Sequence, residues 1–145
     1  MRICFDMDGT IADLYGVENW LADLQNENAR PYKKAAVMLN MNTLARTLNK
    51  LQKQGYEIGI ISWLAKTSTA DYDKKVTAAK MEWLKKHLAS VKFDFVKIVP
   101  YGTDKNIVNT CKADILFDDE EQNRRNWRGT AHNVENILGT LKSLA

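Results

Sequence analysis

Two aspartates, Asp6 and Asp8, stand two residues apart directly after the apolar run ICF, and a Gly-Thr pair follows them. One aspartate would be enough to end a strand, because short polar side chains are common in turns. Two carboxylates this close together can divide the work of phosphoryl transfer. One can attack phosphorus as a nucleophile, and the other can carry protons to the leaving oxygen and from the attacking water.

Further polar side chains recur where other apolar runs end. They are Ser62 and Trp63 after YEIGII, Asp118 and Asp119 after ILF, and Lys105 at the start of a short predicted helix. Because functional residues gather at the carboxyl ends of parallel strands, we expect these side chains to meet the first aspartate pair. The lysine and the serine hydroxyl can hold phosphoryl oxygens, and we expect Gly9, Thr10 and Trp63 to lie against the substrate.

Four carboxylates at one edge of a sheet repel one another unless a divalent cation lies among them. An all-oxygen set of this kind suits Mg²⁺, so the sequence predicts a magnesium site at Asp6, Asp8, Asp118 and Asp119. Each of these residues taken alone could instead belong to a loop or cap a helix. Lys105 could likewise be a solvated lysine at a helix start, with Lys97 or Lys112 as the functional one.

The apolar pattern of the chain predicts the elements that position these groups. Strands are expected at 3–5, 56–61, 93–99 and 115–117, and helices at 42–54, 71–88, 106–111 and around 134–144. The strands are short and apolar without alternation, which is typical of a parallel sheet covered on both faces. We therefore expect one domain over residues 1–145, an α/β fold with three α/β/α layers and a Rossmann-like parallel sheet.

Residues 14–40 are more chain than a strand-to-helix connection needs. We interpret them as a small helical insertion after the first strand, with helices at 17–28 and 33–40 interrupted by Pro31. An insertion in this place would partly cover the site. Its candidate substrate contacts are Tyr15, Trp20, Arg30, Lys33 and Lys34, to which Arg124 is added from the loop after the second aspartate pair. The alternative is that these residues are core or solvated surface.

Composition favours an ordinary globular protein, with 27% charged and 45% hydrophobic residues. A net charge of +3 is compatible with an anionic substrate but too small to indicate nucleic-acid binding by itself. Cys4 and Cys111 lack metal-ligand spacing and are expected to be reduced, buried thiols. Since neither a signal peptide nor an apolar run of about 20 residues is apparent, we expect a cytoplasmic protein with no membrane partner.

The motif DMDGT, followed along the chain by a serine, a lysine and an Asp-Asp pair, resembles the haloacid dehalogenase-like (HAD) phosphatase superfamily. This resemblance implies a HAD-like fold in which Asp6 is the nucleophile and Asp8 the general acid and base. It further implies that Mg²⁺ is held by the Asp6 carboxylate, the Asp8 carbonyl and the Asp118 carboxylate, with Asp119 more often in the outer shell. Dehalogenases of the superfamily lack the second aspartate, so Asp8 favours phosphate chemistry.

The stretches DMDGTIAD and ILFDD, the second with Asn123 four residues beyond it, are similar to the 5′(3′)-deoxyribonucleotidases. That resemblance implies a Mg²⁺-dependent phosphomonoester hydrolase acting on a small phosphorylated metabolite such as a nucleoside monophosphate. One alternative is a nucleic-acid 3′- or 5′-end phosphatase. Another is a protein that binds Mg²⁺ or nucleotide without turnover, although a binder has no need of the second aspartate.

Overall fold

A computed structural model describes residues 1–145 and is built on a five-stranded sheet, all of whose strand pairs are parallel. The strand order is β5-β4-β1-β6-β7, so β1 lies at the centre. The strands are β1 Arg2–Phe5, β4 Glu57–Trp63, β5 Phe95–Val99, β6 Ile115–Phe117 and β7 Thr130–His132. A separate antiparallel ribbon pairs β2 Ala12–Asp13 with β3 Ala36–Val37. The central strand therefore delivers the first aspartate pair to the middle of the sheet edge.

Helices and short turns cover both faces of this sheet. The α-helices are α1 Trp20–Gln25, α2 Arg30–Lys34, α3 Met41–Lys53, α4 Ala70–His87, α5 Glu121–Asn126 and α6 Ile137–Leu144. Ile3 and Phe5 pack in the main core with residues of α3, α4 and α6, whereas Cys4 packs on the opposite face with Val108 and Trp127. The predicted three-layer α/β class is confirmed. None of these helices has the length and apolar character needed to cross a bilayer.

Several predicted details are wrong, each for a local physical reason. Strand β7 was missed because its three residues form a short edge strand with no apolar run to signal it. Strand β4 continues through Ser62 and Trp63, which pair with β5. The helix predicted at 42–54 begins at Met41, because the Asn40 side chain caps it by accepting a hydrogen bond from the Thr43 backbone amide. Cys111 is a free, exposed thiol, whereas Cys4 is free and buried.

Between β1 and α3 the chain forms β2, a 3-10 turn over Leu14–Gly16, α1, α2 and β3. The helices predicted at 17–28 and 33–40 are therefore wrong in extent. Pro31 lies in the first turn of α2, where a missing amide hydrogen costs nothing, and it does not interrupt a helix. Ala36 and Val37 form a strand rather than a helix because they pair with Asp13 and Ala12. That this segment acts as a substrate-selecting cap stays a prediction.

Candidate active site

Asp6 lies immediately beyond β1, where the Asp6 backbone amide donates to the Phe117 carbonyl of β6 at 2.9 Å. The side chain of Asp6 is only 9% exposed, and both of its oxygens have partners. Oδ1 accepts from the Lys105 ammonium at 2.9 Å, and Oδ2 accepts from the Thr10 hydroxyl at 2.9 Å. The carboxylate is thus fixed at the sheet edge by groups from two separate loops.

The turn after Asp6 depends on Gly9 and Thr10. Gly9 has φ +80°, a conformation that glycine adopts readily and other residues rarely do. A β-carbon at Gly9 would lie 2.3 Å from Asp119 Oδ2, so this turn can approach the second aspartate pair only with glycine there. The Thr10 hydroxyl oxygen also accepts from the Asp119 backbone amide at 3.2 Å. The DMDGT turn and the Asp-Asp loop are therefore joined directly.

Asp118 is fully buried beyond β6 and accepts several hydrogen bonds. Its Oδ1 accepts from the Glu120 backbone amide at 2.9 Å. Its Oδ2 accepts from Lys105 at 2.6 Å and from the Asn123 side-chain amide at 3.1 Å. Asn123 on α5 therefore helps to hold Asp118, a role that the sequence resemblance did not assign to it.

Lys105 is the lysine that meets the acids, whereas Lys97 and Lys112, its competitors in the sequence, are exposed. The Asp104 side chain caps the short 3-10 helix that Lys105 opens, and this turn directs the lysine inward. Burial alone would lower the pKa of Lys105, but the carboxylates of Asp6 and Asp118 outweigh it and raise the pKa. The ammonium is thus held charged between two acids.

The carboxylates of Asp6, Asp118 and Asp119 each offer an oxygen within 4.8 Å of the others. Burial, and then the charge of Asp6, raise the pKa of Asp118 to about 6 and that of Asp119 to about 8. One lysine therefore does not balance this cluster of acids. A close set of oxygen ligands with uncompensated negative charge fits a hard divalent cation.

Asp8 lies apart from this cluster and pairs with a residue that sequence reasoning missed. Its Oδ2 accepts from the ammonium of Lys80, on α4, at 2.9 Å. The same ammonium donates to the Ser62 hydroxyl at 2.7 Å and to the Trp63 carbonyl at 2.7 Å. Burial raises the pKa of Asp8, and the charge of Lys80 opposes that rise. Ser62 is fully buried and sits behind Asp8 as a partner of Lys80.

The signal for Lys80 was present in the chain. Lys80 stands four residues after Val76 and three before Trp83, so it falls within the apolar stripe that packs α4 against the core. A lysine in such a stripe is buried only when it is paired. The other members of the stripe are Val76, Ala79 and Trp83, so the charge at Lys80 is the sequence signal for a buried ion pair.

A cavity of about 290 Å³ opens above these acids. Asp6, Asp8, Lys105 and Asp119 line its floor. Its walls are largely apolar and aromatic, and they include Leu14, Tyr15, Trp20, Tyr32, Trp63 and Tyr101. Tyr15 and Trp20 meet edge to face with ring centroids 4.9 Å apart, and the rings of Trp63 and Tyr101 are also 4.9 Å apart. The cavity therefore combines a charged floor with two aromatic pairs.

The basic residues of the insertion do not line this cavity. Arg30 forms an ion pair with Asp23 and donates to the Glu18 carbonyl at 2.8 Å, which ties the insertion together. Lys33 and Lys34 are exposed at the end of α2. Arg124 donates to the Asp118 carbonyl at 3.0 Å and so braces the Asp-Asp loop.

The fold is similar to that of a solved phosphatase. The crystal structure of D,D-heptose 1,7-bisphosphate phosphatase from Burkholderia thailandensis superposes with a TM-score of 0.55 at 9% identity, covering 99% of this chain and 97% of that one. At this identity the similarity concerns the fold alone. No protein-family model and no curated protein sequence matches the chain.

Proposed function

We propose that this protein is a Mg²⁺-dependent phosphomonoester hydrolase that works through an aspartyl-phosphate on Asp6. The observation that carries the proposal is the buried Asp6 carboxylate, held by Lys105 and Thr10 and surrounded by the oxygens of two further acids. The similarity in fold to a phosphatase supports the reaction class. The resemblance of DMDGT to the HAD signature supports the assignment of Asp6 as nucleophile.

The reaction proceeds in two displacements. In the first, an oxygen of Asp6 attacks phosphorus, the bond from phosphorus to the ester oxygen breaks, and Asp8 gives its proton to the departing oxygen. In the second, Asp8 takes a proton from water, the water oxygen attacks phosphorus, and the acyl-phosphate bond breaks. Inorganic phosphate leaves and the Asp6 carboxylate is restored. Asp8 ends the cycle protonated, as it began.

Asp6, Asp118 and Asp119 are the carboxylates that would hold Mg²⁺, and the Asp8 carbonyl is the further ligand implied by the HAD resemblance. When bound, the ion supplies positive charge that offsets the charge of the phosphoryl group. Lys105 donates two hydrogen bonds to Asp6 and Asp118, and an ammonium has three donors. Its remaining N–H can bind a phosphoryl oxygen.

Nucleoside monophosphates are the substrate class that we propose. A planar base can stack on aromatic rings, and the cavity offers the Tyr15–Trp20 pair on one side and the Trp63–Tyr101 pair on another. A volume of about 290 Å³ suits one small ester. The resemblance to 5′(3′)-deoxyribonucleotidases supports the same class.

The test is phosphate release with Mg²⁺ from a panel of nucleoside monophosphates, compared with oligonucleotides phosphorylated at the 3′ or 5′ end. We expect release from the monophosphates that stops on chelation and is absent in Asp6→Asn. A preference for oligonucleotides by orders of magnitude in kcat/KM would instead support a nucleic-acid end phosphatase. Nucleotide binding without release from any ester would mean a binding protein.

A further inference from the structure

Lys80 is buried to 1% exposure, and its ammonium makes three contacts within the protein. The acceptors are Asp8 Oδ2 at 2.9 Å, Ser62 Oγ at 2.7 Å and the Trp63 carbonyl at 2.7 Å. A lysine ammonium has three N–H donors and no acceptor. All three donors are therefore used by the protein, and none is left for a substrate oxygen.

Packing of α4 does not explain a lysine at this position. The residues around it on the same stripe are Val76, Ala79 and Trp83, so an apolar side chain would continue the core. Burying a charge is costly, and a buried ion pair often adds less stability than apolar residues of similar size. The identity of Lys80 is therefore explained by what its ammonium holds.

Resting on the proposed phosphatase function, we infer that Lys80 is a positioning residue that fixes the Asp8 carboxylate for proton transfer. By binding Oδ2, Lys80 leaves the other oxygen of Asp8 free to give and take the proton. Its hydrogen bonds to Ser62 Oγ and to the Trp63 carbonyl hold the ammonium itself in place. Lys80 neither gives up nor accepts a transferred proton, and it touches no reacting atom.

A leaving-group comparison separates this role from general damage to the fold. The 4-nitrophenolate of an aryl ester departs without protonation, whereas the alkoxide of an alkyl ester such as a nucleoside 5′-monophosphate needs the proton of Asp8. We expect Lys80→Met to lower kcat/KM for the alkyl ester by about 10²-fold and for the nitrophenyl ester by only a few fold. Lys85→Met removes an exposed charge from the same helix and should leave both values unchanged. Equal losses for the two esters in Lys80→Met would overturn the inference.

A double variant tests whether Lys80 acts through Asp8. If it does, adding Lys80→Met to Asp8→Asn should slow alkyl-ester hydrolysis little further, because the group being positioned has already lost its function. Losses that multiply would show that Lys80 acts independently and would overturn the inference.

Lys80→Arg keeps the charge with a different geometry. If Lys80→Met does not fold, Lys80→Arg should show the same selective loss of kcat/KM for the alkyl ester. Equal losses for the alkyl and nitrophenyl esters in Lys80→Arg would again overturn the inference.

A structural measurement decides the inference even if the wild-type protein releases no phosphate. Absence of release from both esters would refute the proposed function alone. Crystal structures of the wild type and Lys80→Arg should then show the Asp8 carboxylate displaced or in several conformers in the variant, with Asp6 unchanged. An Asp8 carboxylate that stays in place would overturn the positioning role.

Discussion

The candidate site contains two buried lysines whose ammonium groups are used differently. Lys105, from the turn after β5, bridges Asp6 and Asp118 and so retains one N–H beyond those two hydrogen bonds. Lys80, from α4, donates all three N–H groups to protein acceptors, namely Asp8, Ser62 and the Trp63 carbonyl. Lys105 lines the cavity and Lys80 does not.

This difference divides the site into two halves with separate tasks. The half around Lys105 gathers the acids that would bind the metal and the phosphoryl group. The half around Lys80 orients the acid that would move protons. Substitution of a residue in the first half should therefore slow the hydrolysis of every substrate. Substitution in the second half should mainly slow the hydrolysis of esters whose leaving oxygen needs a proton.

The largest effect is expected from Asp6→Asn, which removes the nucleophile from the Lys105 half. We expect kcat/KM to fall at least about 10³-fold for alkyl and aryl esters alike, because both need the attacking carboxylate. Phosphate release under single-turnover conditions measures this, and an unchanged thermal unfolding curve serves as the control for folding. Full activity in the variant would refute the assignment of Asp6.

The next largest effect is expected from Lys105→Met. Its loss leaves Asp6 and Asp118 without their shared cation and removes the donor for a phosphoryl oxygen, so kcat/KM should fall about 10²- to 10³-fold for every ester. Equal losses for alkyl and nitrophenyl esters would distinguish this half from the Lys80 half. A loss confined to the alkyl ester would break the division between the two lysines.

Asp8→Asn should slow kcat for an alkyl ester at least about 10²-fold while leaving substrate binding largely intact. For a nitrophenyl ester we expect phosphoenzyme to accumulate, because its formation needs no acid but its hydrolysis needs the base. A burst of nitrophenol followed by a slow steady state is the measurement. Weakened substrate binding with unchanged kcat would contradict the role of Asp8.

The smallest effect concerns pH in the Lys105 half. Because the pKa of Asp119 is raised to about 8, this carboxyl is mostly protonated below that pH in the metal-free protein. A metal must displace the proton, so Mg²⁺ affinity should rise as pH increases from 6 to 8, by at most about tenfold per pH unit, and then level off. Titration calorimetry in buffers of different pH measures this, and Asp119→Asn should flatten the dependence.

The sheet and the acids at its edge could be predicted from sequence because their signals are local. ILF gives β6 with correct bounds, and the strand ends bring Asp6, Lys105 and Asp118 together as expected. The place of Lys80 in the apolar stripe of α4 signals a buried, paired lysine, but its partner could not be predicted, since Asp8 lies 72 residues away and only the packing of α4 brings them together. The helix predicted at 33–40 was wrong in extent because pairing of β2 with β3 depends on tertiary context rather than on helical spacing.

The residues that form the site come from parts of the chain that are far apart in sequence. Lys105 and Asp6 are separated by 99 residues, and Thr10 and Asp119 by 109. No local fragment can therefore assemble the cation site, whose acids meet only once β1 and β6 have paired. A bound cation would select the complete native state over partly folded ones, adding about 2.7 kcal/mol of stability at a concentration 100 times its Kd. Assembly of the candidate site therefore depends on the same long-range strand pairing that completes the sheet, and contacts of that sequence separation form slowly in general.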